Sequence, residues 1–443
     1  MVNHWTLILS LLFLAGGLSA QSVILDDYVR QGLQHHAGIQ AKTLGVQRQE
    51  AMQQGADRGY WPQVSFGATY TLAAGGREIA IPIGDLLNPV YSTLNNLTGT
   101  QDFPVLDNVS EQFFPNNFYD ARLRVTQPLY NRGIRLNQEV QDRQTDLART
   151  QLTIAGRDLE EDIRVAYLQY LQALDGHRIL EDVLALMEEQ LAVQQSLLRN
   201  DKILPGELAR SEADLAQVRA QLVQAGARSD QARLQVNHLL GREPEAEVLV
   251  DDVFDELPPA GSATPAIRQE ELSALQIMEQ LQSSVLRREE AWRLPSLGLQ
   301  LDLGSQAFDL DWGPYALLGV SLDVPIWNGG RQQYKIEEAR LAIQQTALQR
   351  EDTRRQLEWG LQSARTGYLA DRAAYEQYDA RLEAERRSYR ETFRRYQEGQ
   401  ANHLELTDAR NRVTSARLQQ NIARFDLWRQ WAGIQRLTSS SSL

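Results

Sequence analysis

The sequence predicts an α+β membrane protein made of a duplicated helix–β-hairpin–long-helix–helix unit, and three observations lead there. The turn Pro128-Leu129-Tyr130-Asn131-Arg132-Gly133 returns as Pro325-Ile326-Trp327-Asn328-Gly329-Gly330, 197 residues later. Leu208, Ser211, Glu212 and Ala213 match Leu404, Thr407, Asp408 and Ala409 at an offset of 196, and Trp61-Pro62-Gln63-Val64 matches Leu294-Pro295-Ser296-Leu297 at 233, so an insertion lies inside the first copy. Each turn motif is preceded by segments alternating apolar and polar residues and followed by a very long helical pattern, and neither half reads as a compact globular domain.

The elements follow in order. Residues 7–14 are apolar and lead into small residues ending at Ala20. That run is too short to span a membrane as a helix and reads as a cleaved export signal over 1–20, although its first residues carry no Lys or Arg. From 25 to 60 the chain reads as helix, stopped by Trp61-Pro62. A strand over 62–72 places Val64, Phe66, Ala68, Tyr70 and Leu72 on one face, and a second over 120–130 places Ala121, Leu123 and Val125 opposite Arg122, Arg124 and Thr126. Between them, 73–119 shows no clear periodicity. The span 132–199 has no Pro, only Gly133, Gly156 and Gly176, and apolar residues recurring at three and four, from Leu159, Ile163 and Tyr167 to Met187 and Leu191. As a helix it would be roughly 100 Å long, so it must pack beside other helices. A break over 200–206 precedes a return helix over 207–240, which completes a first repeat over 21–240.

The stretch 241–265 holds Pro244, Pro258, Pro259 and Gly261 with acidic Asp251, Asp252, Asp255 and Glu256, and reads as a solvated linker. The second repeat, 266–436, runs through a helix, strands over 295–303 and 315–325, a long helix over 331–397 and a return helix over 402–436. Residues 437–443 read as a disordered tail.

Composition narrows the function. The 443 residues contain no Cys, which excludes disulfides, thiolate metal sites and Cys nucleophiles. A net charge of −13 argues against a general nucleic-acid binder. No segment after residue 20 offers the roughly 18 consecutive apolar residues of a membrane helix, so membrane insertion must use strands. The strands are long enough to cross an outer membrane when tilted, with one apolar face and one carrying Gln63, Thr69, Arg122, Arg124, Thr126, Gln300, Asp302, Ser321 and Asp323. Such charges in a filled core would be costly, so the polar face should meet water. Four strands cannot close a barrel and open edges are not tolerated in lipid, so several copies must share one barrel. A soluble half-buried sheet is the competing reading; two equal rods count against it.

These features resemble the TolC-like outer-membrane efflux and secretion family, the outer membrane factors. The marks that carry the resemblance are the two Pro-x-aromatic-Asn-x-Gly turns and Tyr396-Gln397-Glu398-Gly399 running into Leu404-Glu405-Leu406-Thr407-Asp408-Ala409. The resemblance covers essentially the whole mature chain. It implies a homotrimer forming a 12-stranded transmembrane β-barrel in the outer membrane of a Gram-negative bacterium, continued by a periplasmic α-helical barrel. The implied partners are a periplasmic adaptor (membrane fusion) protein, an inner-membrane pump of RND, ABC or MFS type, and outer-membrane lipid, with no nucleic acid and no cofactor.

Candidate site residues follow from both readings. Glu405 and Asp408 share one helix face just past the second helical turn. The resemblance puts them in an acidic ring at the tunnel entrance, while the plainer reading is that they favour the helix dipole. Tyr396 matches a family tyrosine that holds the tip closed, or else packs between rods. The best-known members link neighbouring chains through an Arg on the second turn and an Asp after the first. The matching positions are Ala401 and Ala209, so closure must use other groups, with Arg394, Arg395 and Glu398 as candidates. Ile203, Leu204 and Pro205 on the first turn, with Gly399, Gln400 and Ala401 on the second, are candidates for adaptor docking; the alternative role for Gly399 is that of a helix C′ residue only. Pro128, Gly133, Pro325 and Gly330 mark the passage from barrel to tunnel, and Arg122, Arg124, Asp302 and Asp323 line the expected lumen.

No phosphate loop, nucleophile elbow or HExxH helix is present, and adjacent His35 and His36 diverge on a helix, so neither catalysis nor a metal site is expected. The leading function is therefore a passive exit duct serving a tripartite efflux pump or a type I secretion system. The alternative is a periplasmic coiled-coil scaffold or adaptor without a pore; an adaptor would need a β-domain between two helices that nothing in the chain supplies.

Overall fold

The computed structural model describes residues 22–112, 114–259 and 267–438. The expected export signal over 1–20, the end of the linker at 260–265 and residues 439–443 of the expected tail lie outside them.

In chain order the helices and strands are α1 (Val23–His35), α2 (Ala37–Asp57), β1 (Gln63–Thr71), β2 (Glu78–Ile81), α3 (Ile83–Thr98), β3 (Val109–Gln112), β4 (Phe118–Asn131), α4 (Arg132–Arg199), α5 (Pro205–Leu240), α6 (Glu270–Glu290), β5 (Ser296–Phe308), β6 (Pro314–Asp323), α7 (Arg331–Gln397) and α8 (His403–Thr438). The chain divides into two units. One comprises Met1–Glu50, Arg143–Leu281 and Ala342–Leu443; the other comprises Ala51–Asp142 and Gln282–Leu341.

The second unit is built on a four-stranded antiparallel sheet of order β1-β4-β5-β6. Each copy of the repeat contributes one hairpin. The two hairpins join through β4 and β5, whose register runs from Phe118↔Phe308 to Asn131↔Ser296 with an irregularity between Pro128 and Tyr130. A proline cannot donate to a ladder, which accounts for a bulge there. Pairing with β4 also carries β5 to Phe308, beyond the expected end at 303. The insertion at 73–119 is not structureless. It holds α3 and the antiparallel pair β2–β3. Asn88 and Asn95 each clamp the returning chain twice: Asn88 donates to the Leu106 carbonyl and accepts from its N–H, both at 2.8 Å, and Asn95 does the same with Phe103 at 2.8 and 3.1 Å. Such side-chain pairing leaves no periodic signal in a sequence.

The first unit is helical. Ser22 caps α1 through its Oγ, which accepts from the Leu25 N–H at 3.0 Å. The single helix expected over 25–60 is interrupted at His36, whose backbone is extended, and ends in a 3₁₀ turn at Arg58–Tyr60. The core joins Tyr167, Ile163, Leu168, Val236, Leu240 and Phe425, all at most 2% exposed. Tyr28, Tyr167, Phe254 and Trp428 form a chain of edge-to-face rings with centroids 5.8, 5.8 and 4.9 Å apart.

Over the described residues 241–259, that ring chain corrects the reading of 241–265 as a solvated linker. Phe254 is buried, Trp428 Nε1 donates to the Glu256 carbonyl at 2.9 Å, and the fully buried Asn237 donates to the carbonyls of Pro244 and Ala246, both at 2.8 Å. Asp251 caps a 3₁₀ turn and Asp255 pairs with Arg424 at 3.1 Å, so some acids face out while the segment itself is anchored. Residues 437 and 438, expected in the tail, are the last two of α8.

Candidate functional site

In the sheet, the apolar face is uncovered while one aspartate of the polar face is enclosed. On the apolar face Val64, Phe66, Leu318, Val320 and Leu322 stand bare, Val320 at 68% exposure. On the other face Asp302 is only 4% exposed. Arg124 reaches it through a fork, Nε to Oδ1 and Nη2 to Oδ2, both 2.8 Å, and Gln300 Nε2 adds a third bond at 2.9 Å. Arg122 pairs with Asp120 at 3.0 Å, and Asp120 also accepts from the Tyr315 hydroxyl at 2.9 Å. Asp323 is exposed at the end of β6, opposite Ser296. Asp302 is among the charges expected on the water-facing side of the sheet. The structure buries it beneath Arg124 because the two are direct cross-strand partners.

The turn motifs are local caps. Asn131 Oδ1 accepts from the N–H groups of Gly133 and Ile134 at 2.9 and 3.3 Å, starting α4; Asn328 Oδ1 accepts from Gln332 N–H at 3.4 Å near the start of α7. This gives the shared Asn a physical reason. The glycines differ, since Gly329 and Gly330 adopt φ of 72° and 78° while Gly133 sits in the first helical turn without positive φ. Pro128 remains inside β4, whereas Pro325 lies beyond the end of β6.

At the helical turns of the first unit, Pro205 is the first residue of α5 rather than part of the turn, Leu204 is exposed, and Ile203 is half-buried, so only one of the two expected apolar side chains is bare. The second turn is a helix C-cap. Gly399 has φ 75°, its N–H donates to the Tyr396 carbonyl at 3.0 Å, and Gln400 N–H donates to the Arg395 carbonyl at 2.8 Å. Exposed Gln400 and half-buried Ala401 follow. Asn402 Oδ1 then caps α8 by accepting from Glu405 N–H at 2.9 Å.

Both tip acids face arginines. Glu405 lies 3.8 Å from Arg395, and Asp408 pairs with Arg412 one helical turn on at 2.7 Å. Of the groups considered for closure, Arg395 reaches across to α8, while Arg394 pairs within its own helix with Glu391 at 2.6 Å. Tyr396 accepts from Gln194 Nε2 on α4 at 3.2 Å.

Four residues not singled out in the sequence complete this region. Gln194 Nε2 also lies 3.3 Å from His403 Nδ1, and His403 Nε2 lies 3.4 Å from both Ser211 Oγ and Thr407 Oγ1. Buried Arg410 pairs with Asp214 at 3.3 Å, tying α8 to α5. Burial pushes the His403 imidazole below its ordinary pKa, Asp214 pulling the other way and Arg410 adding to the depression. Asp214 and Arg410 occupy matching positions at the repeat offset of 196, a signal the sequence held. Among the described residues no His, Cys, Asp and Glu cluster has the arrangement of a metal site, and no helix is long and apolar enough to cross a membrane.

Residues 266–440 match the family described as outer membrane efflux protein. No curated protein sequence matches the chain. Its fold is similar to that of the outer-membrane channel OprN (TM-score 0.75, 19% identity, 94% of this chain and 90% of that one). It is also similar to the CmeC outer membrane channel of Campylobacter jejuni (0.75, 13%, 95% and 87%) and to the open state of the MtrE outer membrane channel of Neisseria gonorrhoeae (0.70, 15%, 93% and 88%). The resemblance carried by the turn motifs and tip segment is thus met by both the family match and the fold.

Proposed function

We propose that this chain, whose residues 266–440 belong to the outer membrane efflux protein family and whose fold is that of outer-membrane channels, is the outer-membrane exit duct of a tripartite efflux pump or type I secretion system. The observation that carries the proposal is the uncovered apolar face of the sheet. A soluble sheet hides its apolar face, and covering one Val or Leu side chain is worth about 1.5–3 kcal/mol. Here that face is bare while Asp302 is covered. Lipid is the surrounding that satisfies this arrangement. With β1 and β6 as free edges, the sheet needs further copies to close.

Three copies would give the twelve strands of a barrel, with Arg122, Arg124, Asp302 and Asp323 on its lumen. The paired helices of the first unit would form the periplasmic tunnel, with Tyr396, Glu405 and Asp408 at its entrance. Ile203, Leu204 and Pro205, with Gly399, Gln400 and Ala401, would meet a periplasmic adaptor joined to an inner-membrane pump that supplies the energy. Export through a cleaved signal over 1–20 would deliver the chain to the periplasm. The matched proteins are channels, and the duct likewise would conduct passively rather than catalyse.

The test is extraction and reconstitution. The reading expects a detergent-dependent trimer that gives discrete conductance steps in planar bilayers. A water-soluble monomer without conductance would overturn it.

A further inference from the structure

The imidazole of His403 stands where four helices converge. Gln194 comes from α4, Tyr396 from α7, Ser211 from α5, and Thr407 shares α8 with it. An amide nitrogen only donates, so Gln194 Nε2 gives its hydrogens to the Tyr396 hydroxyl and to His403 Nδ1. Nδ1 is then the bare nitrogen, and the Nε2 proton is shared between the Ser211 and Thr407 hydroxyls. Gln194 is itself 3% exposed, and its Oε1 is buried without a hydrogen-bond partner. With the Gln194 amide held this way, His403 Nδ1 can accept from it only while the ring is neutral.

We propose that Gln194 and His403 form the latch that holds the two turns of this chain together, and that protonation of His403 releases it. This rests on the reading of these turns as the closed entrance of a duct. A proton on Nδ1 would face the amide N–H groups of Gln194, donor against donor. It would also place a positive charge in a half-buried site beside Arg410. Turning the amide over would remove the first conflict but not the second. The charged and titratable groups facing the ring are Asp214, Glu207 and Arg210 of α5 and Arg410 of α8, with Tyr396 of α7 on the other side of Gln194. Asp214 is already engaged by Arg410, so it offers the imidazolium only part of its charge.

The sign follows from linkage. Burial lowers the proton affinity of His403 in the latched form, and release restores the ordinary value. The latched form binds fewer protons, so it is fully favoured above the ordinary histidine range and loses ground as pH falls through it, by up to about tenfold per pH unit for each chain.

The absence of Cys permits a direct test on the full-length protein in detergent. Spin labels on Lys202→Cys and Gln400→Cys report the distance between the two turns, measured from about pH 7.5 to about pH 5, across the ordinary histidine range. The expected result is a reversible shift to longer, broader distances in acid. His403→Gln should abolish the response to pH, and Gln194→Met should show the loosened distribution already at neutral pH. An unchanged distance in the parent protein, or a His403→Gln variant that still responds like the parent, would overturn the latch. Bilayer conductance of the same samples separates the two readings: a responsive tip without conductance at any pH removes the duct and leaves the latch, whereas conductance without a responsive tip does the reverse.

Discussion

Arg124 on β4 and Asp302 on β5 are direct partners across the seam where the two copies of the repeat meet, and their side chains close it with two bonds of 2.8 Å each. The pair fixes register, because a slip of one residue between β4 and β5 would put the two charges on opposite faces of the sheet. It also means that two of the four charges expected in the lumen neutralise each other at contact distance.

Removing one partner strands the other. Arg124→Ala should lower the thermal resistance of the extracted protein more than Asp302→Ala, since it leaves Asp302, the more enclosed charge of the two, without its partner. The double variant should lose less than the sum of the single losses. Strict additivity would show that the two side chains do not interact.

The Asn of the turn motif acts as a helix cap, more closely in the first copy than in the second. Asn131→Ala should cost about 1 kcal/mol at the start of α4, read as about fivefold faster amide exchange at Gly133 and Ile134. Asn328→Ala, whose bond is 3.4 Å, should change exchange at Gln332 less. Equal effects would contradict the difference between the turns.

Phe254 anchors the segment between the repeats. Phe254→Ala removes a ring that is 5% exposed and lies against Tyr167 and Trp428, for a loss of about 3–5 kcal/mol. Limited proteolysis should cut between residues 241 and 259 far sooner than in the parent. Unchanged cleavage would restore the solvated-linker reading.

Gly399 and Gly206 separate backbone strain from space. Gly399→Ala forces a left-handed residue at φ 75° and should cost about 1–2 kcal/mol, loosening the second turn in hydrogen exchange. Gly206→Ala, in the first turn of α5 where an added Cβ meets nothing within 4 Å, should be neutral or mildly stabilising.

The sequence made the long elements legible. The helix expected over 132–199 is α4, Arg132–Arg199, and that over 331–397 is α7, Arg331–Gln397, because a period of three and four sustained without Pro leaves no other structure. Strand faces were equally readable from alternation. What escaped depends on side chains meeting across the fold. Asn88 and Asn95 order the insertion through carbonyls 8 to 18 residues away in sequence, and Phe254 finds its pocket 87 residues from Tyr167. At the tip, Glu405 and Asp408 were visible as an i, i+3 pair. His403, two residues earlier, gives no pattern until Gln194, 209 positions away, is brought against it. Arg410 and Asp214 did carry a signal, since they stand at equivalent positions of the two repeats.

The central claim is that the bare face of this sheet lies against lipid. Single cysteines placed in turn along β6, at Leu318, Gly319, Val320, Ser321 and Leu322, and labelled with a fluorophore in reconstituted vesicles, test it most directly. Positions 318, 320 and 322 should be quenched by nitroxides on the acyl chains, and positions 319 and 321 by an aqueous quencher, in strict alternation. Uniform aqueous quenching at all five positions would contradict the account.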